Sequence, residues 1–233
     1  MGLDQLGAFK LMSITSTAIA EIERLLDPLS GKRLLDVGCG SGGLRGQLEK
    51  LGANWTGLEP FAEGGEPKII KAPAQAMPFS EASFDGVIFV NSLHHVPAEH
   101  MKAALAEAAR VLAGNGQIVI IEPEIEGALS KVVAVVDDET QIRSEAQAAI
   151  NEAICSGFLI ETASQRYMRR EKYASFDEFS QKISAVSPDR AALISRQADA
   201  LKRAFEAGSA FDGVNWLLEQ PMHARILEHA RNP

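Results

Sequence analysis

The spacing of hydrophobic positions changes several times along the chain, and the changes mark its elements. Ile19, Ile22, Leu25 and Leu26 recur at helical intervals, which predicts a helix capped at Ser13 and ended by Pro28. Residues 1–12 read as a loose leading segment. Arg33-Leu-Leu-Asp-Val-Gly38 is a short apolar run that enters glycines directly, the pattern of a buried strand. Residues 44–51 return to helical spacing and stop at Gly52. Strand patterns follow at 55–59, 68–72 and 84–91, with only a loop or single turn between the first two. A helix is predicted over 97–113, then a turn at Gly114-Asn115-Gly116 and a fifth strand over 117–122, closed by Pro123. Beyond it, 125–156 predicts helix interrupted near 137–140, and 158–173 has strand character. Residues 176–183 and 189–208 read as helical, whereas 211–227 fits either strand or helix. Strands apolar throughout, alternating with helices, predict an α/β fold with a mainly parallel sheet covered on both faces.

Composition narrows the class. The 233 residues suit one domain of ordinary α/β size, 46% hydrophobic and 23% charged, which excludes disordered, collagen-like and coiled-coil chains. Twenty-three Lys and Arg against 31 Asp and Glu give a net charge of −8, unfavourable for broad contact with a nucleic-acid backbone. The acid is concentrated early: residues 1–160 hold 12 basic and 21 acidic side chains, whereas 161–203 hold nine and six. Two cysteines, Cys39 and Cys155, in unlike contexts do not form a disulfide framework and suit a reducing, cytoplasmic setting. Apolar runs such as 132–136 are too short to cross a bilayer, and no secretory signal pattern opens the chain.

Candidate chemistry begins at Asp36-Val-Gly38-Cys39-Gly40-Ser-Gly42-Gly43, between a predicted strand and a predicted helix. Glycines there let the backbone turn tightly and bring main-chain N–H groups close to a ligand. These glycines fit both G-x-G-x-G and the dinucleotide pattern G-x-G-x-x-G. Asp36 lies two residues before the first glycine, where dinucleotide folds usually carry an apolar residue; a carboxylate suits a ligand bearing an amino group or positive charge. Glu59 ends the next strand, where an acid can accept hydrogen bonds from both hydroxyls of a ribose.

Leu34-Leu-Asp-Val-Gly-Cys-Gly-Ser-Gly42 resembles the first motif of class I S-adenosylmethionine (SAM)-dependent methyltransferases. Four further segments match that family in order: Ala74-Gln-Ala-Met-Pro-Phe79, Ser83-Phe-Asp-Gly-Val87, Asn91-Ser-Leu-His-His-Val96 and Glu107-Ala-Ala-Arg-Val-Leu112. The likeness covers about residues 30–123 and is nearest to small-molecule methyltransferases of the quinone-biosynthesis-like group. It implies a Rossmann-like seven-stranded sheet, mostly parallel with an antiparallel last strand, helices on both faces, and a helical lid insertion. It implies SAM as cofactor, with S-adenosyl-L-homocysteine as product. Carried over residue by residue, Asp36 and the backbone of Gly38, Cys39, Gly40 and Gly42 hold the methionine portion. Glu59, with Pro60 behind it, holds the ribose, Ala74 and Gln75 lie beside the adenine, and Asn91 lines the methyl-donor region. Pro73 stands where the family often has an Asp on the adenine amine, so Gln75 or backbone must substitute.

A sulfonium methyl is already activated, so a protein must mainly align the acceptor and exclude water; a base serves only acceptors that first lose a proton. His94 and His95 are the candidates, and in extended backbone at most one of two neighbours would face the site. A loop histidine bonded to backbone is the plainer reading of either. His94, His95 and His100 lack zinc spacing, so no metal is expected. Cys39 is a small residue in a crowded loop, though a helix N-terminus could lower its pKa. If 158–166 is the sixth strand and part of 214–227 the seventh, residues 124–140 and 173–210 form a lid within one methyltransferase domain. The partner is then a neutral or anionic small molecule. Nicotinamide-dependent oxidation and SAM binding without catalysis are the rival readings.

Overall fold

The computed structural model describes residues 14–64, 66–185 and 188–230. The loose segment and the Ser13 cap expected from sequence fall outside the described residues. Helix α1 is Ala18–Leu26, and its N-cap is Thr17, whose hydroxyl accepts from the Ala20 N–H at 3.3 Å. Strand β1 (Arg33–Val37), helix α2 (Arg45–Lys50), β2 (Asn54–Leu58), the two-residue β3 (Ile69–Ile70) and β4 (Phe84–Val90) follow. A 3-10 turn at Leu93–His95 leads into α3 (Ala98–Val111) and β5 (Leu112–Pro123). The rest is α4 (Ala128–Val133), α5 (Thr140–Cys155), β6 (Leu159–Tyr173), α6 (Phe176–Ser184), α7 (Pro188–Gly208), β7 (Ala210–Phe211) and β8 (Trp216–His229).

The strand order is β3-β2-β1-β4-β5-β8-β6, with β7 pairing β8 outside that path. Strands β1 to β5 pair in parallel, and the far end is antiparallel. This is the Rossmann-like, mostly parallel sheet that the resemblance implies, its order reversing between β1 and β4, with eight strands and not seven because the short β7 (Ala210–Phe211) adds to β8. Ligands of such sheets bind beyond the carboxyl ends of the strands at that reversal. The predicted turn at 114–116 is absorbed into β5: Phe84 faces Leu112 and Gly86 faces Gln117, so residues 113–116 bulge from the ladder. The predicted third strand shortens to Ile69–Ile70, and the ambiguous C-terminal stretch is strand.

The chain divides into two compact units. Among the described residues, one comprises those within 17–125, 139–165 and 223–230; the other comprises those within 14–16, 126–138 and 166–222. The first buries Leu35, Val37, Leu58, Val87, Phe89, Ile118 and Ile120 from the sheet against Leu105, Ala108 and Val111 of α3 and Ile150 of α5. That alternation of sheet and helix faces removes apolar area from water, at roughly 25 cal/mol per Å². The second has its own core, in which Phe179, Leu201, Phe205 and Leu218 are fully buried and Phe179 stacks on Phe205 at 4.8 Å. No helix among the described residues is long and apolar enough to cross a membrane.

Candidate functional site

The glycine loop leaves β1 by turning left-handed. Gly38, Gly40 and Gly42 have φ of 71°, 54° and 84°, a region that side chains rarely enter. At Gly38 space forbids a side chain as well, since a Cβ there would lie 2.6 Å from the Cβ of Ser92. Gly57, which sequence reasoning passed over, is equally constrained, because a Cβ there would come 2.5 Å from the Cys39 sulfur. Gly38 and Cys39 both donate their N–H groups to the Leu58 carbonyl, which ties the loop to the end of β2.

Glu59 follows immediately. Its Oε2 accepts the Gly40 N–H at 3.0 Å and its Oε1 the Phe61 N–H at 3.1 Å. A carboxylate has about four acceptor positions, so both oxygens keep capacity for hydroxyl donors. Gly40, Ser41, Glu59, Phe61, Gly64 and Ile69 line a cavity of about 420 Å³ beside it. Pro60 sits in the turn between Glu59 and Phe61.

Asp36 is only 3% exposed, and its Oδ2 accepts the Trp55 indole N–H at 3.1 Å. Burial pushes its carboxyl up from 3.8 to about 6, against the lowering effect of the Trp55 hydrogen bond. The Cys39 thiol goes the opposite way from the helix-terminus expectation. Burial, with the Asp36 and Glu59 charges, pushes it up to about 12, which suits an inert packing residue.

Ala74 is buried and Gln75 half-buried in the turn after Pro73. Glu107 and Arg110 of α3 hold the continuation of this segment. Glu107 Oε2 accepts the Met77 N–H at 2.8 Å, and Arg110 donates to the carbonyls of Phe79 and Met77 at 2.8 and 3.0 Å. The Arg110 guanidinium beside it holds the Glu107 carboxyl below its usual range.

Asn91 adopts a left-handed φ of 52° and donates its N–H to Ile121 on β5. Ser92 then bonds the Val37 carbonyl at 2.6 Å, joining this turn to the root of the glycine loop. The histidines do not diverge as extended neighbours would. The 3-10 turn brings their rings to 4.2 Å between centroids. His94 is 3% exposed and its Nδ1 contacts Glu122 Oε2, while Glu122 Oε1 accepts the N–H groups of Ser92 and Leu93 at 3.1 and 2.9 Å. Its Nε2 faces Glu139 Oε2 at 4.0 Å. Donor atoms of His94, His95 and Glu139 lie within 4.8 Å of one another, whereas His100 is exposed on α3 and takes no part. Glu122 and Glu139 were read from sequence only as a strand end and a helix break. A glutamate at the carboxyl end of β5 and another just before α5 were the available signal.

Residues 35–120 match the family described as "Methyltransferase domain". This segment is a class I SAM-dependent methyltransferase domain. A fatty-acid O-methyltransferase of Mycolicibacterium smegmatis is 31% identical over 147 residues, 54% of this chain and 50% of its own. A ubiquinone biosynthesis O-methyltransferase of Nitrosococcus oceani is 30% identical over 128 residues, 49% of this chain and 53% of its own. The chain thus spans about half the length of these curated relatives. The solved YcgJ protein of Bacillus subtilis shares the fold at a TM-score of 0.60 and 16% identity, over 91% of this chain and 97% of that one. SAM is the cofactor of such a domain, and the methyltransferase domain's glycine cradle, Glu59 and the adjoining cavity fit it.

Proposed function

We propose that the protein transfers the methyl group of SAM to a small molecule. The observation that carries this reading is the geometry at Gly40, where a left-handed glycine turn and the Glu59 carboxylate meet over one cavity. When bound, SAM supplies an activated methyl on a sulfonium and leaves as S-adenosyl-L-homocysteine. The Gly38–Gly42 backbone and Asp36 hold the methionine portion, Glu59 and Pro60 the ribose, and Ala74 and Gln75 the adenine side. Asn91 borders the reacting methyl. An acceptor that must lose a proton gives it up at the cluster of His94, His95 and Glu139.

The acceptor is taken to be neutral or anionic, with an oxygen as the attacking atom. Two O-methyltransferases among the relatives, one of them named for fatty acids, support this class. The mild excess of basic residues over 161–203 supports it too. Segments 124–140 and 173–210 are assigned to the lid that selects the acceptor.

The test is transfer of labelled methyl from SAM into a panel of hydroxylated and carboxylated metabolites. Labelled product is expected, and deletion of 174–209 should alter which compounds are labelled. SAM binding with no label in any compound would favour a SAM-binding regulator, and unchanged selectivity after the deletion would remove the lid assignment.

A further inference from the structure

We propose that His94, His95 and Glu139 bind a divalent transition-metal ion of zinc type at the acceptor side of this site. Two imidazoles and one carboxylate with one coordination position left open make the donor set of a catalytic zinc centre. Three features of the structure point that way. The donor atoms already lie within 4.8 Å of one another, and they come from two separate places, the 3-10 turn and the start of α5.

His94 is also supported from behind. Glu122 engages its Nδ1 and is itself fixed by two backbone N–H groups. A carboxylate on one imidazole nitrogen sets the tautomer that leaves the other nitrogen's lone pair for a metal, and it raises the ligand's basicity. That other nitrogen, Nε2, faces Glu139 at 4.0 Å. Ligands about 2.1 Å from a tetrahedral ion stand roughly 3.4 Å apart, so the His94–Glu139 pair must close by roughly 0.6 Å and the widest pair by up to roughly 1.4 Å, within reach of side-chain rotation by the exposed His95.

Arg143 holds Glu139 at 2.5 Å and orients its carboxylate. Its positive charge lowers the affinity for a cation, which makes micromolar binding a better expectation than the tight binding of a structural zinc site.

The inference rests on the methyltransferase reading only for its use. With an ion present both imidazoles serve as ligands. The acid–base role then passes to the ion, which acidifies a hydroxyl or water completing its coordination.

The experiment is titration of the untagged full chain with zinc chloride by calorimetry, repeated with cobalt(II) to read its visible ligand-field bands. SAM binding is measured on the same samples. One equivalent of metal is expected, weakened at least about tenfold by His95→Ala and by Glu139→Gln and unchanged by His100→Ala. SAM affinity should be retained in all three. Absence of saturable binding, or binding that survives both His95→Ala and Glu139→Gln, would overturn the metal site. Metal binding with no SAM binding would instead strike the methyltransferase reading and leave the metal site standing.

Discussion

At the scale of single residues, Asp36 works against the stability of the fold that carries it. Its carboxyl is pushed from 3.8 to about 6 by burial, so the folded state holds the proton more tightly than the unfolded chain. The sign follows: the favourable contribution of protonated Asp36 is complete below about pH 4 and is lost as pH rises through about 6. A shift of this size corresponds to about 3 kcal/mol at neutral pH. Asp36→Asn keeps an acceptor for the Trp55 indole and removes the buried charge. It should therefore raise the melting temperature at pH 7.5, change it little at pH 4, and weaken SAM binding at pH 7.5. Melting curves at both pH values check this, and an equal change at the two would show that charge is not the cause. Such a residue was legible in sequence as a carboxylate before glycines. Its bond to Trp55 was not, because that depends on the β1–β2 register, in which Asp36 faces Gly57 and Leu34 faces Trp55. A Cβ at Gly57 would come 2.5 Å from the Cys39 sulfur and 2.7 Å from the Trp55 ring, so a side chain there would displace both.

Among elements, α3 does more than cover the sheet. Met101, Leu105, Ala108 and Val111 bury one face, while Glu107 and Arg110 reach the loop that carries Met77 and Phe79. These two side chains replace the backbone partners that a loop without secondary structure lacks. Arg110→Ala removes two donors to main-chain carbonyls and leaves Glu107 without its cation. A loss of about 1–3 kcal/mol in stability is expected. SAM affinity should fall as well, although Arg110 is assigned no contact with the cofactor. Chemical denaturation and calorimetry read the two effects, and a full loss of stability with unaltered SAM affinity would separate this loop from the site. Period and punctuation made the first five strands and α3 legible: Gly38 follows β1, Pro60 lies just beyond β2 and Pro73 beyond β3, and Pro123 ends β5. The strands β6 and β8 were harder. β6 ends at Tyr173 as its strand character over 158–173 predicts, but it alternates poorly, with exposed polar residues along much of its length. The histidine cluster was illegible for a related reason. A 3-10 turn sets adjacent side chains side by side, and Glu139 arrives from an element far along the chain.

For the whole molecule, the net charge of −8 is unevenly held, with the acidic excess in residues 1–160. That stretch contains the glycine loop and Glu59, and a cationic sulfonium ligand is compatible with it. Glu59 and the glycine turn are assigned to SAM and not to a dinucleotide. Calorimetric titration of the full chain and of Glu59→Ala with SAM and with NAD tests this assignment most directly. One SAM site per chain is expected, at least about tenfold weaker in Glu59→Ala, with no NAD binding. NAD binding in place of SAM, or SAM affinity untouched by Glu59→Ala, would contradict the assignment.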